Sequence, residues 1–92
     1  MTAAEVLRAA RARIANPDDW CQWQFRDGNR VCLSQAMWDV GARKTPAPEF
    51  NAAFRLLRQA ASKGPADYNY THTHAEVMAM MDRAIELAET GA

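Results

Sequence analysis

The sequence lacks three features that would point to particular classes of protein. It has no excess of charge, because eleven lysines and arginines balance eleven aspartates and glutamates. A balanced chain has no general attraction to nucleic acid or to an anionic membrane, and copies of it do not repel one another. It has no apolar run near the roughly 18 residues that cross a bilayer, and no secretory signal pattern. We therefore predict a cytoplasmic protein with no membrane contact.

Cysteine and histidine are also scarce. The chain has two of each, Cys21, Cys32, His72 and His74, with the spacing C-x10-C-x39-H-x-H. Structural zinc sites usually bring their cysteines in close pairs such as C-x2-C, and no such pair occurs here. We favour two free, buried thiols over a disulfide or a metal site. The four residues remain the candidate ligands of the alternative hypothesis, and no cofactor is indicated.

What is present is the composition of a single globular domain. The chain has 92 residues, of which 49% are hydrophobic and 24% are charged. This length suits one domain over residues 1–92, with a modest core and little room for a deep pocket. No local signature of a nucleophile surrounds either cysteine, so no catalytic residue is predicted.

Four segments have the pattern of amphipathic helices. Thr2 and Glu5 form a capping box before residues 2–15, and Asn16-Pro17 ends that segment. Residues 34–43 form a shorter helix, for which Ser34 is the expected cap, and residues 49–62 have a clean apolar stripe ending before Gly64-Pro65. The last helix runs from about Thr73 to Glu89. The fold class is therefore mainly α (α+β), a small four-helix bundle.

A β-hairpin is predicted between the first two helices. Cys21, Trp23 and Phe25 alternate with glutamines, which is the period of a strand, and Asp27-Gly28 is a common turn dipeptide. With that dipeptide as the loop, Trp23 would lie opposite Cys32. We expect the aromatic side chains of this hairpin, together with Trp20, to pack on the helices.

Both histidines lie in the segment T-H-T-H-A-E-V, residues 71–77. Thr73 and Glu76 have the spacing of a second capping box, so the segment is better explained as a helix start than as a ligand pair. His74 falls in the first turn of that helix, where the helix dipole disfavours its charged form. His72 lies outside the cap and is the histidine with more freedom for chemistry.

The last helix has an unusually wide apolar arc, about 180° on a helical wheel. Met78, Met80 and Leu87 lie toward the two edges of that arc. A small core seldom needs so wide a face, and methionine adapts well to irregular surfaces. We predict that these three residues contact a protein partner or a second copy of the chain.

Three pieces of the sequence resemble a family of small, uncharacterised bacterial and phage proteins. They are N-P-D-D-W-C at residues 16–21, the cysteine-containing segment before V-G-A, and the tail N-Y-T-H-T-H-A-E-V-M-A-M-M-D-R-A-I-E-L-A. Members of that family carry W-C after the first helix, a W-N-D-like segment, T-H-x-E-V and an L-L-D-R-A-I helix. Here Tyr68-Asn69-Tyr70 stands in place of W-N-D. The resemblance implies a shared fold, no catalytic residues, and a role in phage–host conflict, such as an inhibitor of a host complex.

These observations favour a non-enzymatic, cytoplasmic protein-interaction or regulatory module, which could act as a homodimer. The alternative is a small metal-binding protein or enzyme that uses Cys21, Cys32, His72 and His74. A weaker alternative is a nucleic-acid-binding protein that uses the helix arginines, against which the net charge of zero argues.

Overall fold

The chain folds into five α-helices and one antiparallel hairpin over residues 1–91, the part that the computed structural model describes. The helices are α1 (Ala3–Arg13), α2 (Leu33–Gly41), α3 (Ala47–Ala61), α4 (Pro65–Thr71) and α5 (His74–Thr90). Strands β1 (Arg26–Asp27) and β2 (Arg30–Val31) lie between α1 and α2. The mainly helical class and the position of the hairpin are confirmed, whereas the predicted number of four helices is wrong.

Both predicted capping boxes are present. The Thr2 hydroxyl accepts a hydrogen bond from the backbone N–H of Glu5 (3.2 Å), and the Glu5 carboxylate accepts one from the backbone N–H of Thr2 (2.9 Å). Thr73 and Glu76 make the same two bonds at the start of α5, with the same distances. Each box satisfies backbone donors that the first turn of a helix leaves without partners, which fixes where α1 and α5 begin.

The core forms where α1 packs against α2, α3 and α5, and where α3 packs against α5. Its largest fully buried apolar side chains are Leu7, Ile14, Leu33, Met37, Leu57, Met80 and Met81. Gly41 ends α2 at a close approach, since a Cβ there would lie 2.9 Å from a Val6 methyl and 3.1 Å from the Phe50 ring. None of the helices in residues 1–91 combines the length and the apolarity that crossing a bilayer requires.

Helix α4 is the element that the sequence pattern did not reveal. The sequence predicts a helix stop at Gly64-Pro65, but Pro65 is also the first residue of α4. Proline suits that position, because its missing N–H would have no partner there and its fixed φ is already helical. The helix has seven residues and no clear apolar stripe in the sequence. Its two buried side chains are Tyr68 and Asn69, and Asn69 faces the segment that follows α1.

The hairpin is shorter than predicted and its register differs. Arg26 pairs with Val31 and Asp27 with Arg30, so the loop is Gly28-Asn29 and not Asp27-Gly28. Gly28 has a φ of 62°, and a positive φ at the first loop position is typical of a type II′ turn. The expected pairing of Trp23 with Cys32 is therefore wrong.

Residues 21–25 do not form the expected strand. Trp23 has a φ of 71°, which breaks the extended conformation that alternation requires. Trp23 and Phe25 point outward and are 73% and 60% exposed. The expected packing on the helices is confirmed for Trp20, which packs against the core. Trp23 meets α4 on one face, at Tyr70, and Phe25 remains exposed.

Helix α2 is capped by Cys32 and not by the expected Ser34. The Cys32 sulfur accepts a hydrogen bond from the backbone N–H of Gln35 at 3.4 Å. The cap moves because the chain leaves β2 at Val31 and turns directly into the helix at Leu33. Sulfur is a weak hydrogen-bond acceptor, so a cysteine at position 32 does not predict an N-cap from the sequence.

Candidate functional site

The segment after α1 is held in place by one buried asparagine. Asn69 is fully buried and is the one buried side chain of a polar or charged residue type in residues 1–91. Its Oδ1 accepts hydrogen bonds from Trp20 Nε1 (2.6 Å) and from the backbone N–H of Leu33 (3.2 Å). Its Nδ2 donates to the carbonyl oxygen of Cys21 (3.1 Å). One side chain on α4 thus ties the segment after α1 to the start of α2.

The backbone at Trp20 and Cys21 fits this position for local reasons. Pro17, Asp18 and Asp19 form a single 3-10 turn, capped by the side chain of Asn16. Trp20 then forms a bridge with Val31, and the Cys21 N–H donates to the Val31 carbonyl at 3.2 Å. The chain therefore passes beside β2 with the Trp20 ring turned toward α4.

Gln22 adds hydrogen bonds in the opposite direction, from the segment after α1 to the end of α4. Its side-chain amide donates to the carbonyl oxygens of Asn69 (3.1 Å) and His72 (2.8 Å). Carbonyls in the last turn of a helix have no partner within the helix, so Gln22 acts as a side-chain cap at the end of α4. Together, Asn69 and Gln22 join two segments that are nearly fifty residues apart in the chain.

The side chains of both histidines already have hydrogen-bond and aromatic partners within the chain. His74 Nε2 donates to the Ile14 carbonyl at 2.7 Å, and its ring meets Trp20 edge-on with centroids 5.4 Å apart. His72 stacks on Tyr68 at 3.6 Å, and its Nδ1 lies 3.0 Å from the Tyr68 carbonyl oxygen. His74 orients α5 against the end of α1, and His72 covers the end of α4.

The two cysteines are buried and free. Burial raises the pKa of the Cys21 thiol, and the nearby Cys32 raises it further. The Cys21 sulfur lies 3.4 Å from the Gln24 carbonyl oxygen, to which the thiol donates. Because the thiolate is the nucleophile and the metal ligand, a raised pKa disfavours both roles at Cys21.

The structure brings two of the four candidate ligands to one cleft. Cys21 and His74 both line a cleft between Trp20 and Trp23, whereas Cys32 and His72 do not line it. Residues 1–91 contain no group of three or more histidine, cysteine or acidic side chains placed to hold a metal ion. The four-residue set of the metal hypothesis is therefore not assembled in this fold.

Trp23 stands at the outer edge of that cleft. It stacks on Tyr70 of α4, with ring centroids 5.3 Å apart and an angle of 15° between the rings. Its φ of 71° is unusual for a bulky residue, which normally avoids the left-handed region. The backbone is thus held in an uncommon conformation that leaves one face of the indole in solvent.

A family of unknown function, DUF6197, has a model that matches residues 1–87 of this chain. The chain belongs to DUF6197. No curated protein and no solved structure gives a significant match. Membership confirms the resemblance to an uncharacterised family that the W-C and T-H-x-E-V motifs suggested, and it assigns no activity.

The W-C and T-H-A-E-V segments of this chain meet at one place in the structure. Trp20 and Cys21 of the W-C pair are hydrogen-bonded to Asn69 of the Tyr68-Asn69-Tyr70 segment. His74 of T-H-A-E-V packs against Trp20 from α5. Asn69 is the site residue that the sequence pattern did not identify, and its place between two tyrosines is the available signal.

The three residues of α5 predicted to contact a partner differ in their burial. Met80 is fully buried and Met78 is 8% exposed, so the core of this DUF6197 chain itself accounts for that part of the wide arc. Met80 has no surface to offer a partner in this fold. Leu87 is only half-buried and lines a shallow groove with Gln59 and Ala60 of α3. Contact with a partner at Met78, Met80 and Leu87 stays a prediction, and Leu87 is the one of the three that is not buried in the fold.

Proposed function

We propose that this chain is a non-enzymatic protein-interaction module that contacts its partner through Trp23 and Tyr70. The observation that carries the proposal is the exposure of Trp23, which is 73% accessible to solvent while its backbone φ is 71°. Tryptophan and tyrosine are enriched among the residues that dominate binding energy at protein interfaces.

The energetics of Trp23 support this proposal. A left-handed conformation costs a non-glycine residue about 1–2 kcal/mol. Stacking on Tyr70 is worth about 0.5–1.5 kcal/mol, so the folded chain gains little from Trp23. A residue that strains the backbone and buries little surface is better explained by a contact outside the chain. The stack also fixes the indole before binding, which reduces the entropy lost on association.

In this proposal the partner is a cytoplasmic protein. The resemblance to phage proteins favours a host complex that the chain would inhibit by occupying one of its surfaces. A homodimer is the alternative assembly, and Leu87 is the residue that remains available for it.

Thiol or metal chemistry at Cys21 is the second candidate, because Cys21 and His74 line the same cleft. Two contacts count against it: the Cys21 thiol donates to Gln24, and His74 Nε2 is bound to Ile14. Elemental analysis of protein purified without chelator separates the two candidates, since zinc in an equimolar amount would favour the second.

The test of the interaction proposal is affinity capture from host lysate with matched variants. Wild type, Trp23→Ala and Gln24→Ala are immobilised at equal density, and retained proteins are identified by mass spectrometry. Gln24 is an exposed neighbour of Trp23 and serves as the control. We expect one protein or complex to be retained by wild type and Gln24→Ala, and to be lost with Trp23→Ala. Retention that is equal on all three surfaces would contradict the proposal.

A further inference from the structure

A second exposed tryptophan lies on the outer face of α2, at its C-terminal half. Trp38 is 56% exposed, yet its ring is held in place by α3. It meets Phe50 edge-on with centroids 5.1 Å apart, and Phe50 meets Phe54 edge-on at 5.3 Å. The indole is therefore fixed at one edge and open to solvent on the rest of its surface.

Two cations line the same cleft as this ring. Arg43 and Lys44 are exposed, and they line one shallow cleft together with Trp38. Within residues 1–91 neither cation has an acidic side chain at ion-pairing distance. The surface formed by Trp38, Arg43 and Lys44 is here called the basic aromatic surface.

The one acidic residue that lines this cleft is already engaged. Asp39 accepts from Arg26 at 2.6 Å and from Gln35 at 2.8 Å. Partial burial raises the pKa of Asp39, but the hydrogen bonds from Gln35 and Arg26 outweigh that effect and lower it. Asp39 thus remains ionised and paired with Arg26, and the basic aromatic surface keeps a local excess of positive charge.

A helix C-terminus attracts cations, which would account for a basic residue after α2 without any partner. That explanation covers one charge near the last turn. It does not account for an immobilised, half-exposed tryptophan beside two unpaired cations. Tryptophan and arginine are the side chains most enriched in interface hot spots, and complementary charge selects the partner.

We propose that the basic aromatic surface binds an acidic, amphipathic segment of another protein. An apolar side chain of that segment covers the Trp38 ring, and its carboxylates pair with Arg43 and Lys44. The local positive charge selects the acidic partner although the chain as a whole is neutral. This surface is distinct from Trp23 and Tyr70, so the proposal does not rest on the function proposed above.

The test uses fluorescence anisotropy with three labelled synthetic peptides. The first has leucine at its apolar positions and glutamate at its polar positions. The second has lysine for glutamate, and the third has serine for leucine. We expect the leucine–glutamate peptide to bind, with an affinity that falls as salt is raised, and the other two to bind at least about tenfold more weakly.

Matched variants locate the binding. Trp38→Ala and the double variant Arg43→Gln/Lys44→Gln should each weaken the leucine–glutamate peptide by about tenfold or more. Phe25→Ala removes an equally exposed aromatic ring elsewhere, and Lys63→Gln/Arg83→Gln removes the same charge elsewhere, so both should bind like wild type. Trp38→Phe should restore part of the affinity, and thermal melts show that each variant is folded.

Three results would overturn the proposal. The first is equal binding of the glutamate and lysine peptides, and the second is binding that Trp38→Ala and the double variant leave unchanged. The third is a single-stranded oligonucleotide that binds more tightly than the leucine–glutamate peptide, with the same dependence on Trp38, Arg43 and Lys44. That result would assign the surface to nucleic acid.

Discussion

Trp20 and Trp23 lie three residues apart and have opposite roles. Trp20 is packed against the core, its indole N–H is bound by Asn69, and its ring meets His74 of α5. Trp23 is exposed, strained in its backbone, and supported only on one face by Tyr70. This short segment therefore stabilises the fold through the Trp20 indole, and we propose that it binds a partner through the Trp23 indole.

Removing Asn69 should have the largest effect on stability. In Asn69→Ala the Trp20 indole N–H, the Leu33 N–H and the Cys21 carbonyl all lose a buried partner. Each such group costs about 1–3 kcal/mol, so we expect a loss of about 3 kcal/mol or more in the free energy of unfolding, measured by chemical denaturation. Asn51→Ala, at an exposed position of α3, is the control. A loss below about 1 kcal/mol would mean that Asn69 does not hold the segment after α1 against the start of α2.

Replacing each tryptophan with phenylalanine separates the two roles. Trp20→Phe keeps an aromatic ring and removes the N–H that Asn69 binds, so unfolding free energy should fall by about 1–3 kcal/mol. Trp23→Phe keeps a ring that can stack on Tyr70 and should change stability by less than about 0.5 kcal/mol. Equal losses of unfolding free energy for the two variants would show that Trp20 and Trp23 contribute alike to the fold.

The strain at Trp23 has its own test. Trp23→Ala loses the stack on Tyr70 and keeps the cost of a positive φ, whereas Trp23→Gly loses the stack and adopts that φ freely. We expect the glycine variant to be about 1 kcal/mol more stable than the alanine variant in denaturant unfolding. Position 38 lies inside α2 and serves as the control. There we expect the opposite order, with Trp38→Gly less stable than Trp38→Ala, because glycine disfavours a helix interior.

The smallest expected effect is a pH dependence of the free energy of unfolding, caused by Glu76 at the start of α5. A hydrogen bond from the Thr73 backbone lowers the pKa of Glu76, so its ionised form stabilises the folded chain. That contribution is present at neutral pH and is lost as the pH falls through the lowered pKa. Glu76→Gln should be less stable than wild type at pH 7, and the gap should narrow in acid. A gap that widens in acid would reverse the sign of this linkage.

The long helices could be predicted because their signals are local. Thr2-Ala-Ala-Glu5 and Thr73-His-Ala-Glu76 each place a cap within one turn, and the apolar stripes behind them repeat every three or four residues. The core follows from those stripes, whereas the width of the arc on α5 did not indicate that Met78 and Met80 are buried in the core while Leu87 is only half-buried.

The site could not be predicted because its determinants are distant in the chain. The path of residues 20–25 depends on Asn69 and Gln22, which form bonds across nearly fifty residues. Nothing in the alternation of Cys21, Trp23 and Phe25 indicates that Trp23 turns into the left-handed region. Tertiary hydrogen bonds overrode a local strand pattern, as they do where local propensity is weak.

Stability and binding measured together in Trp23→Gly test most directly whether Trp23 serves a partner and not the fold. We expect a variant that unfolds within about 1 kcal/mol of wild type and no longer retains the partner captured by wild type from host lysate. A variant that retains the partner as well as wild type would contradict the central claim, since Trp23 would then be neither needed for the fold nor used for binding.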